Sequence, residues 1–296
     1  MHLVVGATGV VGLGAAICHQ LRDAGKPTRA VVRPTASPQR VADLRNIGVD
    51  VVAGDLKDPG SLRRACEGID TVISTASIMA SHQPGDTVEN VDAGGQESLV
   101  AAAVAAGVRS FVYVSFSAHI DRDFPFRNAK RAVERRLMES GLKWTILRPT
   151  FYMEVWLSPV GGFDFPNARA TIFGEGKNPI SWISFHDVAR FAAICIGSPS
   201  AGSRAFELGG PEALSPRSVV QLFEQLEGRP FQIECISADA LAEQQASSHD
   251  SLEQSLAGLR RCYADGDVID MGQPLAEFLM ALTSVRDYAE RVLHHV

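Results

Sequence analysis

The first twelve residues constrain the fold of this chain more than any other segment. From residue 2 they read His-Leu-Val-Val-Gly-Ala-Thr-Gly-Val-Val-Gly, an apolar run followed by regularly spaced glycines. A run that breaks at glycine and resumes with helical spacing is typical of a buried strand that turns sharply into a helix. The N-terminus of such a helix carries free N–H groups and a positive dipole end, which favour a bound phosphate. The segment predicts a nucleotide-binding loop before a helix over residues 10–24; a glycine-rich turn without a ligand is the alternative.

Each glycine of this loop has a predicted role. Gly6 lets the chain turn tightly after the strand, Gly9 leaves room for a pyrophosphate beside the backbone, and Gly12 lets the helix approach the sheet. Thr8 adds a hydroxyl to the same loop. The residues predicted to contact the pyrophosphate are Gly6, Thr8, Gly9, Val10, Val11 and Gly12.

Composition narrows the class of protein. The 296 residues carry a net charge of −6, whereas nucleic-acid-binding domains usually present a basic face. No apolar run approaches the roughly 20 residues that cross a bilayer, and the chain starts with a strand rather than a signal peptide. We therefore expect a cytoplasmic protein that binds a small-molecule substrate and neither nucleic acid nor a membrane.

The five cysteines lie far apart without a Cys-x-x-Cys pair, which predicts reduced thiols and no metal site.

Five further apolar runs follow, separated by segments with helical spacing. They cover residues 26–33, 49–54, 71–76, 110–115 and 143–147. Nearly continuous apolar runs are typical of parallel strands buried on both faces, and strands that alternate with helices favour βαβ units. The sequence therefore predicts an α/β fold with a doubly wound parallel sheet of the Rossmann type.

Arg33 ends the second predicted strand, where a dinucleotide-binding fold meets the adenosine ribose. NAD enzymes usually place Asp or Glu there, about 20 residues beyond the glycine loop, to accept hydrogen bonds from the 2′-hydroxyl. A guanidinium instead pairs with a 2′-phosphate, and Ser37 and Arg40 follow closely enough to assist. The pattern favours NADP (NADPH) over NAD as the cofactor; an exposed arginine at a strand end is the alternative.

Several motifs together resemble those of the short-chain dehydrogenase/reductase superfamily and, within it, the atypical NmrA-like group of NAD(P)-binding proteins. They are Gly6-Ala7-Thr8-Gly9-Val10-Val11-Gly12, Arg33, Gly54-Asp55-Leu56, Ser74-Thr75-Ala76-Ser77, Ser115, Lys130 and Thr145-Ile146-Leu147-Arg148-Pro149-Thr150. The resemblance covers about the first half of the chain, with a weaker echo at His186-Asp187-Val188-Ala189.

The resemblance implies cofactor contacts beyond the glycine loop. They are Asp55 and Leu56 at the adenine, Thr75, Ala76 and Ser77 at the cofactor's ribose, and Ser115, Pro149 and Phe151 near the nicotinamide.

The chain departs from one pattern of the superfamily. Members with a Tyr-x-x-x-Lys pair use the tyrosine as proton donor, but alignment of Lys130 with that lysine places Phe126 at the tyrosine position. The resemblance implies that Lys130 binds the nicotinamide ribose and polarises a substrate carbonyl or relays a proton. A solvated lysine that pairs with Glu134 is the alternative. Tyr152 is the predicted substitute donor, within an aromatic stretch that forms either a substrate wall or plain core.

The second half predicts a smaller, mixed α/β lobe. Residues 158–180 are dense in glycine and proline, which marks loops and short strands, and the last 60 or so residues have helical spacing. We expect a Rossmann domain over 1–157 and a C-terminal substrate-binding lobe over 158–296, with 183–197 packing back on the Rossmann core.

Two functions remain open at this point. The first is an NADP-dependent oxidoreductase that transfers hydride to or from a small apolar or aromatic carbonyl, enone or quinone compound. The second, which the resemblance also implies, is a non-catalytic NADP-binding redox sensor with a regulatory protein partner. A sugar-nucleotide epimerase or dehydratase shares the fold, but its chemistry usually depends on the tyrosine that Phe126 replaces.

Overall fold

Strands and helices alternate along the first half of the chain, as predicted. The computed structural model describes residues 1–80 and 82–294. The polar sequence of residues 81–89, which contains Pro84-Gly85, predicts a loop, and its first residue, Ser81, lies outside the described residues. The strands are β1 (His2–Val5), β2 (Thr28–Val32), β3 (Asp50–Ala53), β4 (Thr71–Ser74), β5 (Ser110–Val114), β6 (Lys143–Pro149), β7 (Phe163–Asp164), β8 (Arg169–Phe173), β9 (Arg204–Leu208) and β10 (Gln232–Ile236). The helices are α1 (Leu13–Asp23), α2 (Pro38–Asn46), α3 (Pro59–Cys66), α4 (Gly94–Ala105), α5 (Pro125–Met138), α6 (Met153–Trp156), α7 (Phe185–Cys195), α8 (Pro216–Glu227), α9 (Ala238–Ser247), α10 (Ser251–Asp265), α11 (Gly272–Glu277) and α12 (Val285–Leu293).

Seven strands form one sheet in the order β3-β2-β1-β4-β5-β6-β9. The pairings among β1 to β6 are parallel, and apolar side chains such as Leu3, Val4 and Ile73 are fully buried. The direction in which the chain adds strands reverses between β1 and β4. Ligands of open parallel sheets bind at the carboxyl ends of the strands beside such a reversal. The predicted doubly wound, Rossmann-type sheet is confirmed.

The Ala- and Val-rich sequence of residues 91–106 predicts a long helix. In the structure, a π-helical segment, Val88–Ala93, precedes α4 and lengthens that helix at its start. Thr87 caps it, because the Thr87 side chain accepts from Asn90 N and the Asn90 side chain accepts from Thr87 N. Asp92, the residue before the last in this segment, is buried. Single π-helical turns inside longer helices occur frequently at functional sites.

The chain divides into two compact units, each made of several segments. The first unit comprises Met1–Ser115, Pro125–Leu147 and Val188–Phe206, and the second comprises Phe116–Phe124, Arg148–Asp187 and Glu207–Val296. The domain boundary expected at residue 157 stays a prediction.

The second unit contains a small sheet and an aromatic core. Its three strands have the order β10-β8-β7, with β8 and β10 parallel and β7 and β8 antiparallel. The ring of Phe223 on α8 packs against Phe163 and Phe165, at centroid distances of 4.8 and 6.0 Å.

Among the described residues, no helix is both long and apolar enough to cross a bilayer.

Candidate cofactor and active site

The loop after β1 is held by backbone hydrogen bonds and by close packing against the end of β4. Gly9 N donates to Gly6 O and Gly12 N donates to Gly9 O, each at 3.1 Å. Gly6 and Gly12 have φ values of 100° and 95°, which glycine adopts at little cost. A Cβ on Gly6 would lie 2.6 Å from Thr75 Oγ1 and 2.7 Å from Ala76 N. The structure thus brings the predicted pyrophosphate loop and the predicted ribose-binding residues into contact.

The close approach of the first helix to this loop depends on Gly14, which was not predicted. A Cβ on Gly14 would lie 2.4 Å from Gly6 O and 2.8 Å from Ala7 Cα. Gly12 instead supplies the left-handed turn before α1, which begins at Leu13 rather than at residue 10. The helix starts late because the positive φ of Gly12 is incompatible with helical geometry.

Basic side chains follow β2 and β3. Arg40 Nη1 donates to Thr8 O at 2.9 Å, which ties α2 to the glycine loop. Arg33 Nη1 lies 2.7 Å from Asp86 Oδ2, and Lys57 Nζ contacts the other oxygen of the same carboxylate. The side chain of Asp86 is fully buried. The arginine predicted to bind a 2′-phosphate is therefore paired with an acid of this chain.

The predicted adenine contacts lie at the end of β3. Asp55 Oδ1 accepts from Lys57 N at 2.8 Å, and its other carboxylate oxygen is 3.8 Å from Lys57 Nζ. Leu56 is buried, and a Cβ on Gly95 would lie 2.8 Å from Leu56 Cβ. Asp58 caps α3 by accepting from Gly60 N at 2.9 Å, so the two acids have separate roles.

Gln96 on α4 fixes the chain that leaves β4, although no sequence pattern singles it out. Its side chain is fully buried; Ser74 Oγ donates to Gln96 Oε1, and Gln96 Nε2 donates to Ala76 O, each at 2.8 Å. Ser77 Oγ accepts from Met79 N at 3.1 Å.

Lys130 on α5 is buried, so the alternative of a solvated lysine is wrong, and the role predicted for Lys130 stays a prediction. Only 3% of the residue is exposed, and Nζ donates to Val114 O at 3.2 Å. The ammonium also lies 4.9 Å from the ring centroid of Tyr113 and 5.2 Å from that of Phe126. Phe126, at the position of the superfamily tyrosine, therefore contributes a cation–π contact to Lys130 instead of a hydroxyl.

A buried acid from the π-helical segment influences the charge of Lys130. Asp92 is fully buried; its Oδ2 accepts from Ile78 N at 3.1 Å, and its Oδ1 has no hydrogen-bond partner among the described residues. Burial raises the pKa of Asp92, against the opposing charge of Lys130. Burial also lowers the pKa of Lys130, whereas the charges of Asp92 and Glu134 raise it. The lysine and the acid thus share one poorly solvated region of the first unit.

Ser115, predicted near the nicotinamide, lies just beyond β5. Its N donates to Leu147 O at 2.8 Å, and its Oγ is 3.4 Å from Arg131 Nη1. The same nitrogen of Arg131 lies 2.7 Å from Glu134 Oε1. These contacts connect the end of β5 to α5, which carries Lys130.

In the second unit, Phe151 is part of an aromatic core. It is 3% exposed, and its ring centroid lies 5.2 Å from that of Trp156 and 5.8 Å from that of Tyr263. Of the two interpretations of the aromatic stretch, the packing of Phe151 agrees with plain core. Pro149 O accepts from Ser117 N at 2.9 Å.

The Tyr152 hydroxyl is buried and has no hydrogen-bond partner in the described part of the chain, and the same holds for Thr150 Oγ1. Burial raises the pKa of Tyr152, and the charge of Glu154 adds to the effect. Leaving a buried hydroxyl unpaired costs about 1–3 kcal/mol. Such a group calls for an explanation, and a catalytic role is one of those that account for it.

A hydrogen-bonded trio in the second unit was also not predicted. Asp267 has a fully buried side chain, and its Oδ1 lies 2.9 Å from His119 Nδ1 and accepts from Ser117 Oγ at 3.1 Å. The His119 side chain is 55% exposed. Because 148 residues separate His119 from Asp267, no local pattern indicates the pair.

The chain is similar to a known protein family, to reductases of known sequence and to a solved reductase structure. A model of the NmrA-like family matches residues 2–288. The chain is 33% identical over 243 residues to a (4-alkanoyl-5-oxo-2,5-dihydrofuran-3-yl)methyl phosphate reductase of Streptomyces griseus subsp. griseus, covering 81% of this chain and 78% of the relative. It is 30% identical over 259 residues to an NAD(P)H azoreductase of Xenophilus azovorans, covering 87% and 84%. The solved structure of an NADPH-dependent quinone oxidoreductase of Escherichia coli in complex with NADPH has the same fold, with a TM-score of 0.78, 22% identity and coverage of 99% and 100%.

Proposed function

The chain belongs to the NmrA-like family, and from that premise we propose that it is an NADPH-dependent reductase. Its acceptor is a small apolar or aromatic molecule with an electron-poor double bond, such as an enone, a quinone or another carbonyl compound. Two relatives at 30% identity or more are reductases by name, which supports the reaction class. The glycine loop and the basic residues that follow β2 and β3 are the observations that support NADPH as the cofactor.

The residues of the first unit fit NADPH. The tight packing of Gly6 and Gly14 keeps side chains out of the loop, so backbone N–H groups are left to face a pyrophosphate. Arg33, Arg40 and Lys57 supply positive charge for a 2′-phosphate, for which a guanidinium is well suited. Asp55 and Leu56 would hold the adenine, and residues 75–77 the ribose.

Bound NADPH would supply the hydride, so the chain's own residues need to orient the substrate and provide a proton. Lys130 would bind a ribose hydroxyl and polarise the acceptor, because its ammonium is poorly solvated. Tyr152 would donate the proton, because its buried hydroxyl has no hydrogen-bond partner in the described part of the chain and is left to meet a substrate. Ser115, Pro149 and Phe151 would line the nicotinamide end.

The test is oxidation of NADPH by the purified protein with a naphthoquinone, a cyclic enone and an azo dye, each compared with NADH. We expect turnover with at least one acceptor. Tyr152→Phe should lower kcat by about a hundredfold, the scale of general acid catalysis, without changing the Kd for NADPH.

Tyr288→Phe is the matched control, because the Tyr288 hydroxyl donates to Leu157 O at 3.0 Å elsewhere in the second unit. Its turnover should stay near that of the wild type. If Tyr152→Phe retains full kcat, the proton comes from another group, and His119 is the next residue to replace.

A redox sensor is the second candidate, and Phe126 at the superfamily tyrosine position favours it. A sensor would bind NADPH without oxidising it with any acceptor. It would also retain a protein partner in a pull-down only with, or only without, NADP in the buffer.

A further inference from the structure

The Asp86 carboxylate accepts from three donors. Arg33 Nη1 and Gln83 N donate to Oδ2 at 2.7 and 3.1 Å, and Lys57 Nζ donates to Oδ1. Although burial raises the pKa of Asp86, the hydrogen bonds from Lys57 and Arg33 lower it overall. Asp86 is therefore a carboxylate at neutral pH, and it neutralises cations expected to bind the cofactor.

The segment that carries Asp86 is tied to the nucleotide side of the first unit by further contacts. Thr35 Oγ1, two residues beyond Arg33, donates to Gln83 Oε1 at 2.6 Å. Asn90 Nδ2 donates to Gly85 O at 2.9 Å, next to Asp86 itself. The position of the carboxylate thus depends on contacts from both ends of residues 82–90.

We propose that Asp86 is a specificity-determining residue that competes with the 2′-phosphate of NADPH for Arg33 and Lys57. The inference rests on the proposed function, because it takes these two cations as the phosphate site. A phosphate and a carboxylate are both anions that accept from a guanidinium and an ammonium, and the two cannot occupy the same donors. A nucleotide that carries the 2′-phosphate displaces Asp86, whereas one without it leaves the acid in place.

The competition has a defined thermodynamic consequence. If Arg33 and Lys57 are released from Asp86 in only a fraction of the protein molecules, a ligand that needs these two donors binds only that fraction. Its apparent Kd is then the intrinsic Kd divided by the fraction. The penalty falls on NADPH and 2′,5′-ADP, because NADH and 5′-AMP have no group that needs those donors. Asp86 therefore reduces the preference for NADPH over NADH below what Arg33 and Lys57 alone would give.

Asp86→Asn is the primary test, because asparagine keeps the size of the side chain and an oxygen for Gln83 N but removes the charge. Calorimetry should show tighter binding of NADPH and 2′,5′-ADP, on the order of tenfold, with NADH and 5′-AMP unchanged. Asp43→Asn is the matched control: it makes the same charge change at an exposed position on α2, where Asp43 accepts from Gln39. We expect it to bind all four nucleotides like the wild type. Weaker NADPH binding by Asp86→Asn, or an equal gain for all four, would overturn the proposal.

Hydrogen exchange of the wild-type protein gives a second measurement that does not depend on how a variant folds. Saturating 2′,5′-ADP should accelerate exchange of the Gln83 amide, because that N–H loses its Asp86 acceptor, and 5′-AMP should not. Equal protection with both ligands contradicts the inference. If the wild-type protein binds neither NADPH nor 2′,5′-ADP, the proposed function fails; if it binds both and Asp86→Asn does not bind them more tightly, only this inference fails.

Discussion

At the scale of single residues, Phe126 and Lys130 illustrate how one substitution changes a site. The phenyl ring cannot donate a proton, but its face lies 5.2 Å from the ammonium and helps to hold a positive charge in a buried place. Asp92 of the π-helical segment and Tyr113 of β5 face Lys130 from neighbouring elements, and Arg131 and Glu134 lie near it on α5 itself. The two acids favour the charged ammonium, whereas burial and Arg131 oppose it.

Asp92→Asn should lower the pKa of Lys130 further, because it removes a charge that raises that pKa. If charged Lys130 is needed for turnover, the alkaline limb of the pH profile of kcat/KM will move to lower pH. Glu97→Gln is the control, because Glu97 is exposed on α4, the helix that continues from the π-helical segment of Asp92. It should leave the alkaline limb in place. An unchanged alkaline limb in Asp92→Asn would show that Lys130 does not titrate in the reaction.

At the scale of elements, the glycine loop follows β1 directly and packs closely against α1, which comes after it. The helix lies so near the loop that a single added carbon at Gly14 would approach Gly6 O to 2.4 Å. The π-helical segment before α4 carries Asp92 to the chain that follows β4, where Asp92 Oδ2 accepts from Ile78 N. The first contact depends on backbone geometry alone, whereas the second is made by a carboxylate.

Gly14→Ala should destabilise the protein by about 1–3 kcal/mol, the usual cost of overpacking, and weaken NADPH binding because the loop has to shift. Urea unfolding and calorimetry measure the two effects. Gly272→Ala is the matched control, because the nearest atom to its added Cβ is Asp270 Oδ1, at the end of a side chain that can move. Unchanged NADPH binding by Gly14→Ala would show that the loop does not hold the pyrophosphate.

At the scale of the whole molecule, the first unit contains every residue proposed to bind the pyrophosphate, the adenine and the 2′-phosphate. The second unit contains Tyr152, the proposed proton donor, and the aromatic core around Phe151. Ligand that binds only the folded chain raises its stability by mass action. Nucleotide binding is therefore measurable as stability, apart from turnover.

NADPH at one hundred times its Kd should raise the free energy of unfolding by about 2.7 kcal/mol. NADH at the same concentration should stabilise the protein less, because it lacks the 2′-phosphate. Chemical denaturation at several concentrations of each nucleotide measures both. Equal stabilisation by the two at equal concentrations would contradict recognition of the 2′-phosphate.

Sequence patterns alone predict the alternation of strands and helices, the glycine loop, and the places of Arg33 after the second strand and Lys130 after the fifth. These features are encoded in short windows, where apolar periodicity and glycine spacing act through local backbone geometry. Which side chains contact one another is seen only in the tertiary structure. Asp86 contacts Arg33, 53 residues away along the chain, and Asp267 contacts His119, 148 residues away. The tertiary structure also decided that Gly14 makes the close approach predicted for Gly12 and that Lys130 is buried against Phe126. Such contacts follow from strand order and helix packing, which bring together distant segments that carry no shared local pattern.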